Sequence, residues 1–143
     1  MGAVVRAQCF CGAVRLKAEL PTLEVAHCHC DNCRRAHAAG ALTYARFAEN
    51  TFRVVVGEEL LTRFETPETR TIRAFCSVCG TTLFAYNMSR WPGSFDVSLA
   101  NILDPIDQLP DSHQYADRSP SWFPITDGLA RFGGATGEEP LEP

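Results

Sequence analysis

Seven cysteines are the residues of this 143-residue chain best suited to chemistry: Cys9, Cys11, Cys28, Cys30, Cys33, Cys76 and Cys79. They fall as Cys-x-Cys, then Cys-x-Cys-x-x-Cys, then Cys-x-x-Cys. Seven is odd, so a complete disulfide framework leaves one thiol over. Residues 1–6 hold no secretory apolar stretch, and the expectation is a cytoplasmic protein whose thiols stay reduced. Short separations suit chelation, because a tight turn lets two sulfurs converge on one ion.

The set divides by spacing. Cys76-Ser77-Val78-Cys79-Gly80 reads as a zinc knuckle, its glycine supplying the backbone freedom of a chelating turn. Cys9-Phe10-Cys11-Gly12 has the same glycine-ended form. Two plus two gives a four-cysteine tetrahedron, the closed arrangement of a structural site. Cys28, Cys30 and Cys33 remain. Three protein ligands and an open fourth position make a reactive zinc site. In the alternative, His27, His29 or His37 closes that position, or the three thiols stay metal-free. Alternation along an extended strand turns His27 and His29 away from Cys28 and Cys30, which favours the open site.

These clusters need a scaffold of short elements. Residues 12–19 alternate apolar and charged side chains, as a half-buried strand does. Further strands are predicted over 23–28, 42–47, 52–56, 60–64, 70–75, 81–86 and 94–99, punctuated by turn residues. Asp31 is expected to cap a short helical turn carrying Cys33, Arg34 and Arg35. Residues 103–110 read as a turn-rich connection. The pattern predicts a mainly β chain, with one domain over 1–132 and a Gly-, Glu- and Pro-rich disordered tail over 133–143.

Charge narrows the partners. There are 13 basic and 17 acidic residues, and Lys17 is the only lysine. Arg34-Arg35 is the only adjacent basic pair. Nucleic-acid binding draws on clustered cations, so this balance disfavours it. No apolar run approaches the roughly 20 residues of a membrane span. No pattern sets an oligomeric state.

The order Cys9-x-Cys11-Gly12, His27-Cys28-x-Cys30-x-x-Cys33-Arg34-Arg35 and Phe75-Cys76-x-x-Cys79-Gly80-Thr81 resembles the glutathione-dependent formaldehyde-activating enzyme family. That family includes centromere protein V and has the Mss4-like β fold. The likeness extends to Leu103-Asp104, His113, Trp122, Asp127-Gly128-Leu129 and Phe132. It departs at Gly40, seven residues after Cys33, where many members have a shorter spacer. The resemblance implies small antiparallel sheets around a four-cysteine zinc site held by Cys9, Cys11, Cys76 and Cys79. It implies a second, catalytic zinc on Cys28, Cys30 and Cys33, hence two zincs per chain. It implies a carbon–sulfur lyase with glutathione as cosubstrate, making S-hydroxymethylglutathione from formaldehyde.

The residues suit that chemistry. A thiol adds to an aldehyde as its thiolate, which is scarce for a free thiol at pH 7. Zinc deprotonates a coordinating thiol, and an open position admits one from outside. Arg34 and Arg35 flank the cluster and offer bidentate donors to a glutathione carboxylate. Each has a plainer reading as a solvated helix charge. Trp91 and Trp122 read as pocket walls or core, Asp104 as a turn residue or an acid, and His113 as structural or a general acid. Two other functions fit the cysteines: a non-catalytic zinc scaffold binding protein or chromatin partners, and a thiol sensor.

Overall fold

The computed structural model describes residues 2–142. In chain order the strands are β1 Val4–Gln8, β2 Arg15–Glu19, β3 Glu24–Cys28, β4 Leu42–Ala48, β5 Arg53–Val56 and β6 Leu61–Glu65. They continue as β7 Ile72–Cys76, β8 Thr82–Tyr86, β9 Ser94–Ser98, β10 Ser112–Gln114, β11 Ala130–Gly133 and β12 Glu139–Leu141. One α-helix, α1, spans Asp31–His37. The chain is therefore mainly β, with several antiparallel pairings, as expected.

Two compact units divide these elements. The first is Met1–Glu24 with Ala45–Gln108, and the second is Val25–Tyr44 with Leu109–Pro143. Cysteines 9, 11, 76 and 79 belong to the first, and 28, 30 and 33 to the second.

In the first unit, β1, β2 and β5 form an antiparallel sheet in that order. Alternation decides its faces: Val5, Ala7, Leu16 and Ala18 point inward and are buried, and Arg6 and Arg15 point to solvent. Arg6, at the middle of β1, makes a bidentate ion pair with Asp104, at 3.0 and 2.8 Å. A second antiparallel run, β6–β7–β8–β9, is pinned in register by Leu61 opposite Cys76 and Phe84 opposite Val97. Its core contains Ala74, Leu83, Phe84 and Val97, with Phe47 of β4 fully buried. Phe52 stacks on Phe95 at 4.6 Å and meets Phe84 edge-on at 4.8 Å.

In the second unit, β10 is flanked by β3 and β11, and pairs parallel with both. These two parallel pairs join the antiparallel pairings of the other strands. β12 pairs antiparallel with β11, placing Pro140 opposite Phe132. The tail expected to be disordered over 133–143 thus holds a strand. Gly134 and Gly137, both at positive φ, turn the chain back, and Leu141 packs over Gly133. Composition hid that return, because one apolar residue and two turn glycines suffice for it.

Helix α1 also differs from its prediction. Its N-cap is Cys30 and not Asp31: the Cys33 N–H donates to Cys30 Sγ at 3.2 Å. Asp31 lies inside the first turn and pairs with Arg34. The helix ends at Ala38 in the left-handed region, whose N–H returns to the Arg34 and Arg35 carbonyls.

Phe47→Ala is expected to destabilise the first unit by about 3–5 kcal/mol, since a fully buried ring leaves a cavity. Urea denaturation followed by tryptophan fluorescence checks this; a loss below about 1 kcal/mol would show that the site collapses or is not core.

Candidate metal centres

The first unit gathers its four cysteines. The sulfurs of Cys9, Cys11, Cys76 and Cys79 all lie within 4.8 Å of one another. Cys11 Sγ is 3.6 Å from Cys9 Sγ and 3.8 Å from Cys76 Sγ, across 65 residues of chain. Tetrahedral zinc with bonds near 2.3 Å requires sulfurs about 3.8 Å apart. The donor set fits that ion in type, number and separation.

The two knuckles are built alike. Gly12 N–H donates to the Cys9 carbonyl at 3.0 Å, and Gly80 N–H to the Cys76 carbonyl at 2.8 Å. Both glycines have φ near the left-handed region, at 78° and 82°. Backbone N–H groups also point at the sulfurs: Val14 at Cys9 and Val78 at Cys76, both at 3.4 Å. Such donors favour thiolates. Thr81 links the halves, meeting Cys79 Sγ at 3.2 Å and accepting from Phe10 N–H at 3.1 Å.

The thiols push one another apart electrostatically. The Thr81 hydroxyl leads the effects that bring Cys79 down to about 5. The Ala13 backbone draws Cys11 down, but burial and the sulfurs of Cys9, Cys79 and Cys76 prevail and raise it to about 11. Four thiolates this close need a cation among them to ionise together.

In the second unit Cys28 ends β3, Cys30 caps α1 and Cys33 lies in its first turn. Their sulfurs lie within 4.8 Å of one another, with Cys28 buried and Cys30 and Cys33 half-buried. The described ligand atoms grouped at that distance are three cysteines and no histidine. His27 and His29 turn elsewhere: His27 Nδ1 meets Thr43 Oγ1 at 2.7 Å, and His29 Nε2 meets His113 Nδ1 at 2.8 Å. The Cys28 thiol is pushed up by the sulfurs of Cys30 and Cys33 and by burial. A cation bound there would have to displace that proton.

The other candidates separate. Arg34 is committed: its Nε donates to the His29 carbonyl at 3.1 Å and its guanidinium pairs with Asp31. Arg35 is exposed, with no ion-pair partner among the described residues. Trp91 belongs to the first unit, its ring faced by Arg90 at 4.1 Å and Arg46 at 4.8 Å. Trp122 is 69% exposed in the second unit beside Phe123. Phe123 lies over Gly40, where any Cβ would fall 2.4 Å from the ring. That contact gives the longer spacer a packing reason. Asp104 is the anchor of Arg6 described above.

His113 is part of a chain that spacing did not reveal. It is buried, donates or accepts through Nδ1 with His29, and its Nε2 meets Asp127 Oδ1 at 2.8 Å. Burial leads the effects that push His29 down to about 4, with His113, His27 and Arg34 adding to it, so His29 is neutral at pH 7. The signal available was histidines at 27, 29 and 113 without metal spacing among them.

The model of the glutathione-dependent formaldehyde-activating enzyme family matches residues 4–118. A crystal structure of a Rhodobacter sphaeroides protein is similar at 28% identity, covering 73% of this chain and 97% of that one, with a TM-score of 0.59. No curated protein matches.

Cys76→Ser is expected to cost more than about 4 kcal/mol of stability, because it opens the cross-link between knuckles 65 residues apart. Cys30→Ser is expected to cost less than about 1.5 kcal/mol, because serine is itself a strong N-cap and can accept from Cys33 N–H. Guanidinium denaturation of both variants checks the contrast, and equal losses would contradict the division into structural and reactive sites.

Proposed function

The chain belongs to the glutathione-dependent formaldehyde-activating enzyme family, and from that premise we propose that it is a zinc-dependent carbon–sulfur lyase of the S-(hydroxymethyl)glutathione synthase type. Its reaction joins glutathione to formaldehyde or another small aldehyde. The observation that carries this reading is the three-cysteine cluster, whose sulfurs converge with no fourth ligand atom grouped with them among the described residues.

Cys28, Cys30 and Cys33 would hold the metal and leave one position for an incoming thiol. The metal, when bound, supplies the Lewis acidity that favours thiolate over thiol at neutral pH. The thiolate sulfur attacks the carbonyl carbon; a C–S bond forms as the carbonyl π bond opens, and the oxygen takes a proton to give the hydroxymethyl adduct. The half-buried cluster limits water around the sulfur. Nucleophilicity falls with thiol pKa, so the rate gain comes chiefly from holding the aldehyde beside the sulfur. Arg35, exposed on α1, is the readier partner for a glutathione carboxylate, with Arg34 lending charge beside it. Cys9, Cys11, Cys76 and Cys79 would hold a second zinc with a structural role, making two per chain.

A zinc scaffold that binds a protein partner is the second reading. Its support is the exposure of Phe10, at 91%, and Val78, at 65%, on the tips of the two knuckles. No helix among the described residues is long and apolar enough to cross a membrane.

Native mass spectrometry with and without glutathione separates these readings. The expected result is two zincs per chain and a glutathione adduct that Cys30→Ser abolishes. Two zincs with no thiol adduct, or only one zinc, would overturn the enzyme reading.

A further inference from the structure

Residue 29 sits between two cluster cysteines, so whatever fixes it fixes both. Its backbone N–H donates to the Gln114 carbonyl at 3.0 Å. Its ring is tied to the same strand, β10, through His113 at 2.8 Å. Parallel pairing sets Gln114 opposite Cys28, which keeps the two strands in that register. His113 is stacked on His27 at 4.9 Å and held at its far nitrogen by Asp127. Asp127 Oδ1 also accepts from the Leu129 N–H at 3.1 Å, which orients the carboxylate.

Hydrogen-bond logic assigns the protons along this chain. A carboxylate only accepts, so His113 Nε2 donates to Asp127. Neutral His113 then accepts at Nδ1, and His29 must donate from Nε2. His29 Nδ1 is left as a bare lone pair, and it is indeed buried with no hydrogen-bond partner. The opposite order would bury an unpaired N–H there. It would also set a lone pair against the carboxylate or demand a second proton on His113. A buried, orphaned N–H is the costlier defect.

We infer that Asp127 is a positioning residue for the three-cysteine site: through His113 it fixes one tautomer and one orientation of His29, and so holds the turn from which Cys28 and Cys30 converge. Nothing in Asp127 touches a sulfur. Its carboxylate is 47% exposed while both rings are buried, so the anchor is reached from solvent and the ligands from within. Partners of this kind typically govern metal retention by about 10- to 100-fold.

The inference rests on the cluster binding metal, not on turnover, and its test reads neither aldehyde nor product. Nitrogen-15 NMR of the zinc-loaded full chain should show His29 in a single tautomer, protonated at Nε2. Asp127→Ala should mix the tautomers and speed zinc release from the three-cysteine site by about 10- to 100-fold. The slower release from the four-cysteine site should not change. Asp127→Asn, whose amide oxygen still accepts from His113 and Leu129, should keep the tautomer and stay within about threefold of the parent rate, well short of the loss expected for the alanine variant. His29 protonated at Nδ1 in the parent protein would overturn the inference. So would an alanine variant that releases both zincs faster alike, or neither, and so would an asparagine variant that matches it.

Discussion

Thiolates repel one another, and four of them cannot share a space less than 5 Å across unless a cation lies at its centre. The first unit is arranged around that requirement. The turn between β1 and β2 brings Cys9 and Cys11, and the turn between β7 and β8 brings Cys76 and Cys79. Glycines at positive φ bend both turns, and backbone N–H groups aim at the sulfurs. Thr81 ties one knuckle to the other independently of metal. A metal that joins segments 65 residues apart removes much of the unfolded chain's freedom, so its binding energy becomes folding energy.

The second cluster obeys the same electrostatics with one ligand fewer, and its cysteines have structural duties too. Cys28 closes β3, and Cys30 caps α1 by accepting from Cys33 N–H. A thiol is a weak acceptor for that task, and serine would serve the helix better. Cysteine at the cap makes sense if its sulfur is also wanted for metal. His27 and His29 are engaged by Thr43 and His113, and no histidine ligand atom is grouped with the three sulfurs among the described residues.

Much of this was legible in the residues because chelation writes itself into spacing. Cys-x-Cys-Gly and Cys-x-x-Cys-Gly turns are local, so the grouping into four and three follows from short separations. The alternating strand β2 was equally legible, and β7 was legible from the turn residues that bound it. What escaped depends on partners distant in sequence. β10 is three polar residues, and only its parallel neighbours and the histidine chain make it a strand. β12 hides in a Gly- and Glu-rich tail because pairing with β11 supplies what its composition lacks. Asp31 looked like the cap because propensity favours aspartate, yet the adjacent thiol took that place. The bond between His29 and His113 spans 84 residues and no spacing rule announces it.

The central claim is one closed and one open sulfur site on the same chain. Cadmium-113 NMR of the cadmium-substituted protein tests it most directly, because each resonance reports the sulfur count of its own site. The account predicts two resonances, one for four sulfurs and one for three. Adding glutathione should move the three-sulfur resonance toward the four-sulfur range and leave the other in place. Two resonances that both ignore glutathione, or two four-sulfur resonances before it is added, would contradict the account.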